Sequence, residues 1–322
     1  MPTLLSMMLC LAVPGPDDRP CVIVVVGAPG SSEYGADFRR WASLWRAAAA
    51  KASAEFLQIG AVTGGGPPDR ERLRAALAEK GTAGLEPLWV VLIGHGTSDG
   101  REAKFNLRGP DVTDVELADW LKPIRRPLAI INGASASGPF LNRLSGEGRV
   151  VVTATRSGDE QNYARFGGQF AEAIADPRAD LDKDGQVSLL EAFLTASSRV
   201  DEFYRTRSRL ATEHALIDDN GDRLGTPPDW FRGVRATKRA KDDSEPDGIR
   251  SHQFHLVRNE RERRMPAATR KRRDDLERSM ADLRSKKDQV AEDDYYTELE
   301  VILVELARLY RDGASPEPHR PQ

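Results

Sequence analysis

Three features predict an α/β protein built on a mostly parallel sheet with helices on both faces. Short apolar, β-branched runs recur between residues 22 and 153. Stretches with helical spacing separate them, and polar, glycine-bearing loops follow them. The chain has 322 residues, enough for one sizeable α/β domain and an appendage.

The elements follow in order. Val22–Val26 is a continuous β-branched run that ends at Gly27 and reads as a strand buried on both faces. Residues 34–54 carry Phe38, Trp41, Leu44 and Trp45 on one helical face. Glu55–Ile59 reads as a strand, and Asp69–Lys80 as a helix opened by acidic residues, with Leu73 and Leu77 inward. Leu88–Ile93 is a third buried strand, closed by Gly94-His95-Gly96. Leu117–Leu121 is a short helix, and Leu128–Ile131 a strand closed by Asn132-Gly133-Ala134-Ser135. Phe140–Leu144 starts another helix, with Ser137 placed to cap it, and Val150–Thr153 is a fifth strand. Open α/β sheets carry their sites beyond the carboxyl ends of strands, where His95 and Ser135 fall.

Past residue 165 the character changes. Phe166–Ile174 is expected to be helical, a long helix is expected from Leu189 to Leu216, and residues 166–236 hold two acidic loops. Residues 237–262 read as a linker. Leu276, Met280, Leu283 and Val290 recur at helical spacing, as do Leu299, Ile302, Leu303, Leu306, Leu309 and Tyr310. The polar break at Lys286–Asp294 makes 263–312 a helical hairpin, packed on the protein or used for self-association. Residues 313–322 are proline-rich and expected to be disordered.

Composition excludes several classes. Net charge is −3, so no overall field favours nucleic acid, and the Arg-rich run at 259–273 is interleaved with acids. No run approaches the roughly 18 apolar residues of a membrane span. The apolar run Leu4–Ala12 makes residues 1–19 a signal-like leader. It favours export (periplasmic or extracellular), while its missing basic flank leaves a cytoplasmic location open. Cys10 and Cys21 supply no disulfide framework, and Cys21 reads as a small core residue. No Walker loop or GxGxxG motif is present, and the five histidines form no zinc set.

The strongest motif is the first acidic loop. Asp180, Asp182 and Asp184 stand at positions one, three and five of a twelve-residue EF-hand calcium loop. Gly185 stands at the turn, Gln186 offers its carbonyl, Ser188 acts through water, and Glu191 supplies the terminal carboxylate. Val187 is the apolar residue expected to pair with a neighbouring loop. So many carboxylates repel one another without a hard divalent cation, so Ca2+ is the expected ligand. Asp218, Asn220, Asp222 and Asp229 repeat positions one, three, five and twelve, with Arg223 at the turn. That second loop is read either as a second calcium site or as a helix-terminating turn.

Gly94-His95-Gly96-Thr97 after the third strand, and Ala134-Ser135-Ala136-Ser137-Gly138 after the fourth, resemble the caspase and legumain peptidases. Those carry a His-Gly pair and an Ala-Cys-x-Ser-Gly element at the same places. Thr153-Ala154-Thr155 and Asn162-Tyr163-Ala164 add to the likeness with legumains. The resemblance implies a caspase-like three-layer sandwich, to which the EF-hand helices and the hairpin are added. It makes His95 the acid or base, Gly96 the oxyanion N–H donor, and Ser135 the occupant of the nucleophile position. Serine there changes the chemistry: a thiol ionises near about pH 8.5, whereas a hydroxyl needs an oriented base. Three readings stand: an inactive pseudopeptidase domain that binds a peptide or protein, a hydrolase using Ser135 with His95, and an unrelated α/β fold.

Overall fold

The computed structural model describes residues 19–60, 66–81, 84–238 and 246–313. The leader through residue 18, most of the Gly64–Gly66 loop and the tail from 314 lie outside them.

The main sheet contains β1 (Cys21–Val26), β2 (Glu55–Ile59), β3 (Leu88–Ile93), β7 (Leu128–Asn132), β8 (Arg149–Thr153) and β9 (Leu216–Asp218), in the order β2-β1-β3-β7-β8-β9. The first five run parallel, and β9 closes the edge antiparallel to β8. Three short strands, β4 (Gly96–Ser98), β5 (Ala103–Phe105) and β6 (Val112–Thr113), form a separate antiparallel sheet directly after His95. A two-stranded ribbon joins β10 (Phe231–Arg232) to β11 (Arg235–Ala236).

Alternate strand residues supply two cores, which is why the central strands β1 and β3 carry no polar residue. Val22, Val24, Trp89, Val91, Ile131 and Val152 face α1 (Ser32–Lys51), α5 (Phe166–Ala173) and α6 (Leu189–Thr206). Ile23, Val25, Val90, Leu92 and Ile130 face α2 (Asp69–Lys80), α3 (Asp114–Leu121) and α4 (Gly138–Leu144). The protein is therefore a three-layer α/β sandwich with a mostly parallel sheet. Cys21 lies in the second core, and burial pushes its thiol up to about 11, which leaves it unreactive.

Two segments differ from the sequence reading. The helix expected to reach Leu216 ends at Thr206, where Ser208 turns to φ +51°, and Leu216-Ile217-Asp218 becomes the sixth strand. The stretch read as linker is packed from 246 onward. It holds α7 (Ile249–Gln253) and α8 (Glu260–Arg264), and buries Phe254 and Leu256 in the first core. The hairpin is present as α9 (Ala267–Ser285) and α10 (Glu292–Gly313), joined by the Arg272–Glu305 ion pair at 2.7 Å. No helix among the described residues is long and apolar enough to cross a membrane.

Trp45 ties the layers together. It is fully buried, stacked on Phe170 of α5 at 6.0 Å and tilted against Trp89 of β3 at 6.3 Å. Trp45→Ala is expected to cost about 3–5 kcal/mol in urea unfolding. A loss below about 1 kcal/mol would mean that α1 is not a pillar of the core.

Candidate functional site

Two places hold the residues singled out from the sequence: the carboxyl ends of β3 and β7, and the pair of acidic loops.

At the strand ends, Ser135 is 3% exposed and its hydroxyl is fully used by Gly96. Ser135 Oγ accepts the Gly96 N–H at 3.1 Å and donates to the Gly96 carbonyl at 3.1 Å. The hydroxyl thus clips the β7 loop to the start of β4. A Cβ built on Gly96 would lie 2.3 Å from the Ser135 carbonyl oxygen, so only glycine allows this approach. Gly96 N–H therefore serves Ser135.

His95 looks elsewhere. Its Nε2 donates to the Pro29 carbonyl at 3.2 Å, and its ring packs edge-on against Tyr34 at 4.9 Å and Phe38 at 5.2 Å. No described contact joins His95 to Ser135. The next residue, Ala136, is held at φ +50°, with its N–H on the Glu160 carbonyl at 2.8 Å. Ser137 sits at the N-cap position of α4 but does not cap it; its hydroxyl meets Thr155 Oγ1 at 3.1 Å.

The acidic loops share one hydrogen-bond scaffold. In the first, Asp180 Oδ1 accepts Lys183 N–H at 2.7 Å and Oδ2 accepts Gly185 N–H at 3.1 Å. Asp182 Oδ1 accepts Asp184 N–H, and Asp184 Oδ1 accepts Gln186 N–H. In the second, Asp218 Oδ1 accepts Gly221 N–H at 3.0 Å and Oδ2 accepts Arg223 N–H at 3.0 Å. Asn220 Oδ1 accepts Asp222 N–H, and Asp222 Oδ1 accepts Leu224 N–H. Positions four and six are left-handed in both: Lys183 at +67° and Gly185 at +88°, Gly221 at +85° and Arg223 at +71°. Arg223 holds a conformation that costs a side-chain-bearing residue about 1–2 kcal/mol.

The terminal carboxylates complete the match. Glu191 Oε1 accepts the N–H groups of Leu181 and Asp182, at 2.7 and 3.2 Å, while Oε2 takes the Ser188 hydroxyl at 2.8 Å. In the second loop Asp229 does none of this; it is solvent-facing and pairs with Lys238 at 2.9 Å. Asp247, within the stretch read as linker, takes the equivalent place. Its Oδ1 accepts Asp219 and Asn220 N–H at 2.7 and 3.2 Å, and its Oδ2 accepts the Thr226 hydroxyl at 2.6 Å. Thr226 and Ser188 are both ninth in their loops.

One segment, 247–259, touches both loops. After Asp247, His252 Nε2 meets Asp182 Oδ2 at 2.9 Å, and His255 pairs its backbone with Ser188. Asn259 reaches the Asp184 carbonyl at 3.2 Å. Ser188, next to Val187, is thus the residue that pairs with a neighbouring segment. Asp247 and His252 were missed from the sequence, since no spacing rule links them to loops 28 and 70 residues away in the chain.

The donor set fits a hard divalent cation. Ligand atoms of Asp180, Asp182 and Asp184 lie within 4.8 Å of one another, as do those of Asp182, Glu191 and His252. Burial raises the Asp184 carboxyl above its usual range, helped by the Asp182 and Glu191 charges. Burial does the same to Asp218 and Asp247, with Asp222 and Asp219 as the respective neighbouring charges. Crowded, half-desolvated carboxylates of this kind are stabilised by a cation.

No family model matches the chain, and no curated protein matches it. Among solved structures it is similar to the Drosophila initiator caspase Dronc, at 15% identity and TM-score 0.43, covering 64% of this chain and 81% of that one. It is similar to caspase-1 from Spodoptera frugiperda at 10% identity and TM-score 0.40, covering 63% and 87%. For Chaetomium thermophilum Raptor the values are 11% and 0.32, and the match spans 49% of this chain and 17% of that one.

Ser135→Ala leaves the Gly96 N–H and carbonyl without their buried partner. The expected loss is about 1–3 kcal/mol in urea unfolding. Unchanged stability would contradict the clip.

Proposed function

We propose that this chain is a calcium-binding protein whose caspase/legumain-like α/β domain is a catalytically inactive module that binds or regulates a peptide or protein ligand. The observation that carries the reading is the repeated loop scaffold, with a carboxylate closing each copy. Asp180, Asp182, Asp184 and Glu191, with the Gln186 carbonyl and Ser188, would hold one Ca2+. Asp218, Asn220, Asp222 and Asp247 would hold a second, with Asp247 taking the role first assigned to Asp229. Because segment 247–259 lies against both loops, calcium would order that segment and the hairpin it leads into. The inactive half of the reading rests on the Ser135 hydroxyl being spent on Gly96 and on His95 facing Pro29. A serine nucleophile needs a base within hydrogen-bond reach, and His95 is not so placed.

Calcium at about 100 times its dissociation constant should raise the unfolding free energy by about 2.7 kcal/mol per site. Glu191→Gln and Asp247→Asn should each remove one site's share in calcium-dependent thermal melts, whereas Asp229→Asn should remove none. A full calcium response in Asp247→Asn would refute the assignment of Asp247. A serine-reactive fluorophosphonate should leave Ser135 unlabelled. Labelling that disappears in His95→Ala would establish the hydrolase instead.

The sign of the pH effect follows from the raised carboxyls. Burial lifts the folded Asp247 carboxyl to about 9, so in calcium-free buffer its stabilising share is full below about pH 4 and is lost progressively as pH rises to about 9. Urea melts across pH should show a smaller loss in Asp247→Asn than in the wild type. Equal slopes would show that this carboxyl is not perturbed.

A further inference from the structure

A highly charged cavity lies at the opposite end of the sheet from His95 and Ser135. It occupies about 500 Å³ between the amino ends of β3, β7 and β8 and the segment that runs from α7 into α9. Nine basic and five acidic side chains line it, so cations are in clear excess.

Three observations point to what it takes. First, guanidinium groups crowd one another there. Burial lowers the Arg270 pKa, as does the neighbouring Arg258 charge, and burial with the Arg278 charge does the same to Arg250. Glu86 and Glu262 pair with Arg258, Arg270 and Arg273, and Asp274 and Asp275 with Arg273, Lys271 and Arg278, while no described ion pair answers Arg125, Arg126, Arg149 or Arg250. Second, α9 begins on the cavity wall in a way that contradicts the helix dipole. Pro266 gives no side-chain cap, the first turn has no acid, and Arg270 and Lys271 follow at once. Third, His255 lines the same cavity at 8% exposure, and its buried Nε2 has no hydrogen-bond partner among the described residues. Such an atom costs about 1–3 kcal/mol unless a ligand satisfies it.

We propose that this cavity binds a phosphate-type oxyanion, either free or as the phosphoryl group of a small molecule. A tetrahedral oxyanion accepts from guanidinium forks and from the uncapped amides of α9. In its hydrogenphosphate form it can also donate to, or accept from, the imidazole nitrogen. Sulfate, which carries no proton at neutral pH, satisfies the same wall less completely. The cavity shares segment 247–259 with the calcium loops, so its test is run both in calcium-free buffer and on calcium-loaded protein freed of excess ion.

The test is calorimetric titration of the full chain with pyrophosphate, inorganic phosphate and sulfate at low ionic strength. Saturable binding is expected, tightest for pyrophosphate and weakest for sulfate. Lys271→Gln and Arg278→Gln should each weaken pyrophosphate by about tenfold, and His255→Leu should narrow the preference for phosphate over sulfate. Lys271 is largely exposed, so its variant is expected to fold and keep the comparison valid. Absence of saturable binding at millimolar pyrophosphate overturns the proposal. So does binding that none of the three substitutions weakens.

Discussion

Burying a carboxylate is unfavourable unless its oxygens are filled, and Asp247 is 3% exposed. Two backbone N–H groups and the Thr226 hydroxyl fill them. The second loop closes only because a residue from far along the chain supplies this carboxylate. Asp219 answers in kind, since its Oδ2 accepts the N–H groups of Gly248 and Ser251. This exchange fixes α7 against the end of β9. From there the chain lies along the first loop through His252, His255 and Asn259 before entering the hairpin. The closure of the second loop and the path of the chain into α9 follow from it.

The site at the strand ends illustrates a different constraint. His95 and Ser135 follow neighbouring strands β3 and β7, so the fold brings their loops together as the sequence order implies. What each side chain then does depends on local contacts. With no side chain on Gly96, the two backbones approach so closely that the Ser135 hydroxyl is drawn into bridging them. His95 is meanwhile surrounded by Tyr34, Phe38 and Tyr163. The same residue types at the same places can therefore make a structural clip and a packed ring.

Much of the α/β layer was legible in the sequence, because Val22–Val26 and Leu88–Ile93 are apolar at every position and only a doubly covered strand needs that. The twelve-residue spacing of Asp180–Glu191 was equally plain, being local. The rest depended on contacts between distant segments. Leu216 and Ile217 continue an apolar helical pattern, and nothing local announces the turn at Ser208 that sends them into the sheet. Strands β4–β6 are two or three residues long, too short for alternation to register. Asp229 satisfied the loop by counting, but Asp247 satisfies it by geometry, and Asp247-Gly248 on its own reads as an ordinary turn.

The central claim, that Asp247 closes a second cation loop equivalent to the first, is tested most directly by counting bound metal. Equilibrium dialysis against calcium, with the ion measured by atomic emission, should give two ions per chain for the wild type and one for Asp247→Asn. One ion per chain in both proteins would contradict the account and leave Asp247 as a purely structural cap.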